Sequence, residues 1–387
     1  MKVLILTSSF PIKEGDYYGN FLLSQAKALR DKGCKVTVLA PHSKGAMVKE
    51  KIDGVEIIRF RYFWPSLERV AYGEGIINNL RKSLWAKVQL PVFFLSFFLN
   101  AFKLALKSDI IHAHWAVPSG MIAIIVKLFL NKKVVITPQG SDLFIGSWLG
   151  KVTGFVLTRA NLVIGASQYL FTEAKSLGVK KEKLVLIYNG LSDLEELLKI
   201  PIRKNTNFRL LFIGRVAKEK NLDLVLKSLP KTITYIPGVR LDIIGDGPLL
   251  ENMKGLVEEL AITNYVKFFG AKPKNELKSF FEKVDVVVLP QDVPGGFGLV
   301  PVEAMAAGKV MVLGRVPFAD EIIKNGKNGI LVKLDENSIS KALGEVFNDD
   351  VWRYNLSKRA RETVRDNFSM EKIAKETIKA YENISSV

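Results

Sequence analysis

The stretch from residue 190 to residue 207, GLSDLEELLKIPIRKNTN, separates two parts of the chain that share one pattern. It carries charged residues, a proline and asparagines, but no run of apolar β-branched residues. On both sides, short apolar runs such as KVLILTSS and RLLFIGR alternate with amphipathic segments of helical length. This alternation is typical of parallel strands that crossover helices bury on both faces. We therefore predict an α/β protein with two doubly wound, Rossmann-like parallel-sheet domains facing across a cleft.

The position of this stretch sets the predicted domain boundaries. Residues 1–190 form the first domain, 191–206 a linker and 207–368 the second domain. A chain of 387 residues is long enough for two cores of this size. In residues 369–387, Met370, Ile373, Ile378 and Tyr381 recur at helical spacing. We expect a C-terminal helix that returns to the first domain.

The composition excludes several classes of protein. A hydrophobic content of 48% with 25% charged residues is that of a soluble globular protein. With one cysteine, Cys34, and three histidines, a disulfide framework is excluded and a zinc or other metal centre is disfavoured. We therefore expect no metal and no bound cofactor. The N-terminal MKVLILTSSF lacks the basic region and cleavage site of a secretory signal and is interpreted as a buried strand, which predicts a cytoplasmic protein.

The positive charge lies mainly in the first half of the chain. Residues 1–200 hold 27 Lys and Arg against 15 Asp and Glu, whereas residues 201–387 hold 29 against 24. Such an excess favours an anionic partner, either a phosphorylated substrate or an acidic membrane surface. Nucleic acid is disfavoured, because the chain has no helix-turn-helix, zinc-knuckle or aromatic RNA-binding signature.

Residues 88–106, VQLPVFFLSFFLNAFKLAL, resemble a membrane span. Gln89, Pro91, Asn100 and Lys103 interrupt the apolar run, which is too short for the roughly 20 residues that cross a bilayer. A buried crossover helix is the favoured interpretation, and a helix at a membrane interface is the alternative. Eight basic residues against two acidic ones between Arg59 and Lys107, interleaved with aromatic side chains, keep the alternative open.

The stretch VPGGFGLVPVEAMAAG, residues 293–308, predicts an anion site. Pro301 suits the first helical residue and Gly308 a left-handed helix end. The loop Gly295-Gly296-Phe297-Gly298 then leads into a helix N-terminus, whose free N–H groups attract a phosphate. Glu303, expected in the first turn, would accept hydrogen bonds from a ribose diol. Its alternative role is only to complement the helix dipole.

The stretch FIGRVAKEKN, residues 212–221, predicts the cations for such a site. A strand that ends at Gly214 delivers Arg215 and Lys220 to the carboxyl edge of the sheet, where open α/β folds bind ligands. Arg can bind phosphate oxygens bidentately and Lys acts as a point charge, so the pair suits a diphosphate.

The first domain offers two further candidates. Gly19, in the loop FPIKEGDYYGNF, would let backbone approach a phosphate, or would serve a plain turn. This loop is not GxGxxG, and neither is GDGPLL at 245–250, so a dinucleotide oxidoreductase is disfavoured. His112 and His114 alternate on a predicted strand and share one face. A core role is the default for each, and the end of a strand favours ligand contact for His114.

Seven of these pieces, in order, resemble the retaining GT-B glycosyltransferases of family 4, and the resemblance covers nearly the whole chain. They are the Gly19 loop, HAHW, TPQGSD, IYNG, FIGRVAKEKN, IIGDGP and GGFGLVPVEAMAAG. The resemblance implies an acceptor site in the first domain and a nucleotide-sugar donor, UDP- or GDP-linked, held mainly by the second. It implies front-face transfer, in which a donor phosphate oxygen takes the acceptor's proton and no metal or protein nucleophile is required.

The resemblance also assigns roles to residues by position. Arg215 and Lys220 would hold the diphosphate and Glu303 the ribose, while the backbone N–H groups of Phe297, Gly298 and Leu299 would line the sugar and phosphate site. We count Arg215, Lys220 and His114 as the catalytic candidates.

Four positions depart from the family pattern. The first of its two glutamates falls on Gly295, and we hypothesise that Asp292 substitutes for it. Gln139 stands in place of the histidine of the family's HGSD segment. Lys309 stands where the family often has a threonine that contacts the nucleotide. The aspartate that usually follows NG is absent here, and the next aspartate is Asp193.

We predict a hexosyltransferase of cell-envelope polysaccharide or glycolipid synthesis. The basic, aromatic stretch favours a lipid-linked sugar as acceptor, on the inner face of a membrane. An alternative of another class is a nucleotide-sugar-binding partner protein that lost catalysis with the first glutamate, and an epimerase or a phosphorylase is disfavoured. The candidate acceptor residues are Gln139, Asp142, Tyr62, Trp64, Tyr72 and Asp292.

Overall fold

The structure is a computed structural model that describes residues 1–12, 19–73, 75–140, 143, 147–202, 208–292, 298–316 and 319–385. The chain forms two compact units. The first comprises Met1–Gly190 and Met370–Val387, and the second comprises Leu191–Pro294 and Gly298–Ser369.

The described strands and helices alternate along most of the chain. The strands are β1 (Lys2–Leu6), β2 (Lys35–Pro41), β3 (Lys49–Ile52), β4 (Val55–Phe60), β5 (Ile110–His114), β6 (Lys133–Thr137), β7 (Leu162–Gly165), β8 (Leu184–Leu186), β9 (Arg209–Ile213), β10 (Arg240–Ile244), β11 (Val266–Phe268), β12 (Val286–Leu289), β13 (Val310–Gly314) and β14 (Ile330–Val332). The helices are α1 (Asn20–Asp31), α2 (Ile76–Lys82), α3 (Leu84–Ala105), α4 (Met121–Leu130), α5 (Ser147–Arg159), α6 (Gln168–Ser176), α7 (Leu194–Leu198), α8 (Leu222–Tyr235), α9 (Leu250–Glu259), α10 (Lys274–Phe281), α11 (Leu299–Ala306), α12 (Ala319–Ile322), α13 (Glu336–Asn348), α14 (Asp350–Asn367) and α15 (Met370–Ser385).

The sheet of the first unit has the order β3-β4-β2-β1-β5-β6-β7-β8. All its pairs are parallel except β3 with β4. The order reverses between β1 and β5, so the loops that follow these two strands diverge there. In open α/β sheets, the carboxyl edge at such a reversal is where ligands bind.

The sheet of the second unit has the order β11-β10-β9-β12-β13-β14 and is parallel throughout. Its reversal lies between β9 and β12. The loop that carries Gly214 and Lys220 follows β9, and the loop that leads to α11 follows β12. The prediction of an α/β protein with two parallel sheets is confirmed.

Helix α15 packs in the core of the first unit. Ile373, Ala374 and Tyr381 join Val3 and Ile5 of β1 in one buried cluster. Tyr381 Oη lies 2.6 Å from Nδ1 of His112, so a polar contact also fixes this helix to β5. In the second unit, the backbone N–H of Leu191 donates to the carbonyl of Phe368, which ties the start of that unit to the end of α14.

Helix α3 differs from the buried crossover helix that the sequence favoured. Its inner face is buried, and Phe97 stacks on Phe60 of β4 with ring centroids 4.5 Å apart. Only 28% of its most apolar 18-residue window is buried, and Leu84, Val88 and Leu99 are exposed. The favoured interpretation was therefore wrong for the outer face, because one side of the helix packs on the sheet and the other has no cover among the described residues. By length and composition alone, α3 passes as a membrane-crossing helix, and in the described part of the chain no other helix does.

Candidate active site

The loop after β9 lies against the loop after β10. Gly245 has a φ of 147°, and a Cβ atom on it would come within 1.8 Å of the carbonyl oxygen of Gly214. A Cβ on Gly247 would similarly meet the carbonyl oxygen of Val216 at 2.3 Å. The glycines of IIGDGP therefore serve a close approach between two loops of the protein itself. This packing holds Gly214 and the residues after it at the carboxyl edge of the sheet.

The side chain of Lys220 is half-buried at this edge of the sheet, whereas that of Arg215 is exposed. The Nζ atom of Lys220 donates to Oε1 of Gln291 over 2.7 Å, and Gln291 is itself buried. Burial lowers the pKa of Lys220 below its ordinary value, an effect that neighbouring Glu219 opposes. Arg215 makes no ion pair with any residue in the described ranges. The two cations therefore differ: one is held in place and the other extends into solvent.

The loop after β12 is bonded to the loop after β9. Asn221 donates its side-chain N–H to the carbonyl of Pro290 over 2.8 Å, and the backbone N–H of Asp292 donates to the carbonyl of Glu219 over 2.8 Å. The side chain of Asp292 is exposed. These bonds bring Lys220, Gln291 and Asp292 together at the point where the strand order reverses.

Helix α11 begins at the end of this loop. Gly298 precedes its first residue, Leu299, and no side chain caps the helix start. The free N–H groups of its first turn are therefore available to an anion. Pro301 is the third helical residue rather than the first, a position that also needs no N–H bond. Gly295, Gly296 and Phe297 lie outside the described residues.

The end of α11 confirms the prediction for Gly308, which has a φ of 67°. A Cβ at this position would approach Nη2 of Arg361 and Cγ1 of Ile202, each at 2.7 Å. Glu303, in contrast, is not in the first turn, which contains no acidic residue. The helix begins two residues earlier than Pro301 indicated, so Glu303 is its fifth residue and points into the protein, 5% exposed.

Buried Glu303 belongs to an ion cluster with two partly exposed residues that the sequence did not reveal. Its Oε1 lies 3.2 Å from Nζ of Lys274, and the same Nζ lies 3.0 Å from Oδ1 of Asp193. Lys274 is the first residue of α10 and Asp193 precedes α7, so three helices contribute one residue each.

The pKa values in this cluster follow from burial and charge. Burial raises the pKa of Glu303; Lys274 opposes this rise and Asp193 adds to it. For Lys274, burial acts to lower the pKa, but the attraction of Glu303 and Asp193 outweighs it and raises the pKa. The cation therefore stays charged and favours an ionised Glu303, which is the form that accepts hydrogen bonds from hydroxyls.

Lys309 is not at this site. It lies before β13, at the amino edge of the sheet, and is only 2% exposed. There it lines a small cavity with Asp285, Asp350 and Arg353. The side chain of Lys309 therefore lies at the edge of the sheet opposite to Lys220.

Gly19 has a structural role at the reversal point of the first sheet. It immediately precedes α1 with a φ of 64°, and a Cβ there would come within 2.6 Å of the carbonyl oxygen of Ser9. The close approach is to the chain's own backbone after β1. Any side chain at this position would push α1 away from the loop.

His112 and His114 share one face of β5, as predicted, with ring centroids 4.4 Å apart. Nε2 of His112 lies 2.8 Å from the hydroxyl of Thr137, so both of its ring nitrogens are bonded and it is a core residue. Nδ1 of His114 lies 3.1 Å from Nε2 of Gln139, whereas its Nε2 is buried without a hydrogen-bond partner. Because the amide of Gln139 can only donate from its nitrogen, Nδ1 of His114 accepts and the ring proton is on Nε2.

The two histidines are neutral. Burial lowers the pKa of His112 to about 3. Burial, with a smaller contribution from His112, also lowers the pKa of His114 well below its ordinary value. His114 therefore offers one N–H donor at the carboxyl end of β5 and no charge.

The aromatic acceptor candidates separate into two groups. Tyr62 and Tyr72 are buried, which corrects their predicted surface role. The hydroxyl of Tyr62 accepts from the backbone N–H groups of Val70 and Ala71, and that of Tyr72 donates to the carbonyl of Pro41. Trp64 is 69% exposed. Asp142 lies outside the described residues.

In the described residues, no group of three or more His, Cys, Asp or Glu side chains is placed to hold a metal ion. The polar groups at the carboxyl edge of the second sheet are instead a half-buried lysine, a buried carboxylate with its own lysine and a free helix N-terminus. This set suits a ligand that carries both phosphate and hydroxyl groups.

Two family models match the chain and together span most of it. The model described as Glycosyltransferase Family 4 matches residues 19–193, and the model described as Glycosyl transferases group 1 matches residues 193–363. The chain is 29% identical over 304 residues to an uncharacterized glycosyltransferase of Methanocaldococcus jannaschii. The aligned region covers 75% of this chain and 82% of that protein.

Two further similarities are informative. The chain is 31% identical over 144 residues to a GDP-mannose-dependent α-(1-6)-phosphatidylinositol monomannoside mannosyltransferase of Mycolicibacterium smegmatis, covering 35% of this chain and 38% of that protein. A solved structure of Anabaena HepE in complex with UDP superposes with a TM-score of 0.73 at 21% identity, over 100% of both chains. The second similarity concerns the fold alone.

Proposed function

The chain belongs to the family 4, group 1 glycosyltransferases with the GT-B fold, and from this premise we propose that it transfers a hexose from a UDP- or GDP-sugar to an acceptor hydroxyl with retention of configuration. The observation that carries the donor assignment is the position of half-buried Lys220, which donates to Gln291 next to the start of α11. Nε2 of Gln291 would lie 3.8 Å from a Cβ on Gly298, and Glu303 is the fifth residue of that helix. At 1.5 Å per residue, Gly298 and Glu303 are about 7.5 Å apart along the axis. A phosphate group and a ribose of one nucleotide can therefore contact the two ends of this segment.

The diphosphate is the part of the donor that Lys220, Arg215 and the α11 N-terminus would bind. Lys220 is already held by Gln291, so little side-chain freedom is lost when it meets a phosphate. Exposed Arg215 can close on the phosphates after the donor binds. Charge builds up on the leaving diphosphate in the transition state, where one well-placed donor contributes about 2.7–4 kcal/mol.

The ribose is the part of the donor that Glu303 would bind. An ionised carboxylate accepts from both hydroxyls of a diol, and Lys274 favours this form because it opposes the rise in pKa that burial causes. We infer that Lys274 is a positioning residue, since it acts through Glu303.

We propose a front-face transfer that needs no metal. The acceptor oxygen forms its bond to the anomeric carbon on the face that the diphosphate leaves. The bonding electrons depart with the diphosphate, and one of its oxygens takes the proton of the acceptor hydroxyl. Arg215, Lys220 and the helix start supply the positive field that a metal ion supplies in other phosphate sites.

Asp292 is our candidate to replace the carboxylate that is missing at Gly295. It follows Gln291 directly, its side chain is exposed, and its backbone is fixed by Glu219. It can therefore accept from a hydroxyl of the donor sugar without the loss of an existing ion pair among the described residues.

The acceptor is proposed to be a lipid-linked sugar, used in the cytoplasm at the inner membrane face. The similarity to a mannosyltransferase named for a phosphatidylinositol mannoside supports this class, as does the basic first half of the chain. Nε2 of His114 is the donor that we assign to a hydroxyl of the bound sugar, with Gln139 fixing its tautomer.

Nucleotide release from UDP-, GDP- and ADP-sugars, with and without a polyprenyl-phosphate sugar, tests this function. We expect one UDP- or GDP-sugar to show acceptor-stimulated release with chelator present, and NMR of the product to show a retained anomer. Lys220→Met should abolish the stimulation, whereas Lys218→Met, an exposed lysine in the same loop, should not. Tight nucleotide binding with no release from any donor would favour a binding partner instead.

A further inference from the structure

An exposed apolar stripe runs the full length of α3. Nine of the nineteen large apolar side chains that are exposed in the described residues lie on this helix, just after it or at the end of α4. The apolar stripe consists of Leu84, Val88, Val92, Leu95, Leu99 and Leu106, all between 46% and 76% exposed. Their spacing of mostly three or four residues places them on one helix face. A contiguous apolar surface of this length on a soluble domain marks an interaction site.

The end of α4 widens the stripe. Leu128 and Phe129 are 77% and 68% exposed. The ring of Phe129 lies 6.1 Å from that of Phe98 and 6.3 Å from that of Phe102, both on α3. Trp85, at the first turn of α3, is 64% exposed. The surface therefore carries an aromatic side chain near each end, which is typical of helices at a membrane–water boundary.

The opposite face of α3 prevents the helix from crossing a bilayer within this fold. Phe93 and Phe97 pack on Phe60 of β4 at centroid distances of 5.3 and 4.5 Å. Buried Gln89 accepts from the backbone N–H of Arg69 and donates to the carbonyl of Leu67. A helix fixed along one side to a sheet can present only its other side to lipid, so it would lie in the plane of the surface.

Positive charge surrounds the apolar stripe. Arg81, Lys87, Lys103 and Lys107 are exposed, and the sequence from Gly75 to Ser108 contains no acidic residue. At about 100° per residue, Lys87 and Lys103 fall on opposite sides of the stripe. An apolar centre flanked by cations complements a leaflet of anionic lipids, with acyl chains in the middle and headgroups at both sides.

We propose that the outer face of α3 and the end of α4 dock the first unit onto an anionic membrane, with α3 parallel to the surface. A second copy of the chain is disfavoured as the occupant, because two such faces would bring their lysines together. The inference deepens the proposed lipid-linked acceptor and rests on it for its purpose, but the docking itself can be measured without catalysis.

Vesicle sedimentation tests the docking. We expect the protein to bind vesicles with 30% phosphatidylglycerol at low salt, to bind phosphatidylcholine vesicles weakly, and to be released by 0.5 M NaCl. Leu95→Ser with Leu99→Ser should weaken binding by about tenfold or more. Lys87→Glu with Lys103→Glu should weaken it by about fivefold or more per site.

Matched controls separate docking from general surface change. Val351→Ser with Tyr354→Ser removes two exposed apolar side chains from α14, and Lys327→Glu with Lys358→Glu makes the same charge change in the second unit. Both controls should bind as the wild type does. Brominated lipid should quench the fluorescence of Trp85 if this side chain contacts the acyl region. The quenching should be lost in Trp85→Phe and kept in Trp64→Phe.

Three results would overturn the docking surface. The first is that the wild type does not bind anionic vesicles at low salt. The second is that the α3 variants bind as strongly as the wild type. The third is that light scattering shows a dimer of the wild type and a monomer only for Leu95→Ser with Leu99→Ser. Donor-dependent transfer to a detergent-solubilised acceptor without vesicle binding would refute the docking alone. Vesicle binding without transfer would refute the proposed function alone.

Discussion

Lys274 Nζ lies 3.2 Å from Glu303 Oε1, and this contact joins the start of α10 to the middle of α11. The carboxylate is 5% exposed and would be costly to ionise alone. Asp193, 3.0 Å from the same Nζ, is a second carboxylate on this one cation, and it raises the pKa of Glu303. Lys274, on another helix, is thus the residue that opposes the rise in the pKa of the proposed ribose ligand.

The first prediction concerns Lys274→Met. Without the cation, burial and Asp193 together raise the pKa of Glu303 further. We expect the variant to bind UDP or GDP about tenfold or more weakly at pH 7, and to recover affinity as the pH rises and Glu303 ionises. Calorimetric titration from pH 6 to 9 measures this.

Two controls make the result specific. Lys272→Met removes a lysine that pairs at 3.4 Å with exposed Glu276, and it should change neither affinity nor its pH dependence. Glu303→Gln should be weak at every pH. A Lys274→Met variant that is weak but independent of pH would show that the lysine only supports the fold.

Lys220 carries the second prediction. Lys220→Met should lower kcat by about 100- to 1000-fold, because it removes a cation from the leaving diphosphate. Burial lowers the pKa of Lys220. As the pH rises, Lys220 should therefore lose its charge, and the free enzyme its affinity for the donor, at a lower pH than with an ordinary lysine. Lys220→Arg keeps the charge, and kcat/KM measured against pH should then lack this alkaline fall. An alkaline limb unchanged in Lys220→Arg would assign the fall to another group.

The third prediction concerns Asp292 and Gly295. If Asp292 binds the donor sugar, Asp292→Asn should lower kcat/KM for the nucleotide sugar by about 10- to 100-fold and leave the affinity for the free nucleotide unchanged. Adding Gly295→Glu to that variant should restore part of the rate. The control is Asp223→Asn, which changes a partly exposed carboxylate on α8 that pairs with Lys227. Equal turnover of Asp292→Asn and wild type would remove Asp292 from the site.

The parallel strands and the chemistry of their ends were predictable from local pattern, since buried parallel strands and helix-ending glycines leave signals within a few residues. Lys220 was found in this way because it lies in the loop that follows β9. Lys274 was not, because a lysine in AKPKNELK looks like any solvated charge until the fold places Glu303 beside it. Tyr62 and Tyr72 became acceptor candidates for the same reason, since their burial depends on distant elements.

The fourth prediction concerns acid stability. Burial lowers the pKa of His112 to about 3, whereas an unfolded histidine has a pKa near 6.5. As the pH falls below about 6.5, the unfolded chain therefore takes up the proton first, and His112 alone costs the folded first unit up to about 1.4 kcal/mol per pH unit until about pH 3, to which buried His114 adds. His112→Gln should reduce this slope. Trp352→Phe leaves tryptophans only in the first unit, so urea unfolding followed by their fluorescence reports that unit.

The second unit is the internal control for this measurement. All three histidines lie before residue 190, so the second unit has none. A chain with Trp64, Trp85, Trp115 and Trp148 replaced by Phe, and Trp352 retained, should show no histidine-dependent slope between pH 7 and pH 5. An equal slope in both units, or one that His112→Gln does not change, would mean that carboxylates rather than the buried histidine of β5 set the acid limit. A slope confined to the first unit and reduced in His112→Gln would show that the contact between His112 and Tyr381, which fixes α15 to the sheet, requires a neutral imidazole.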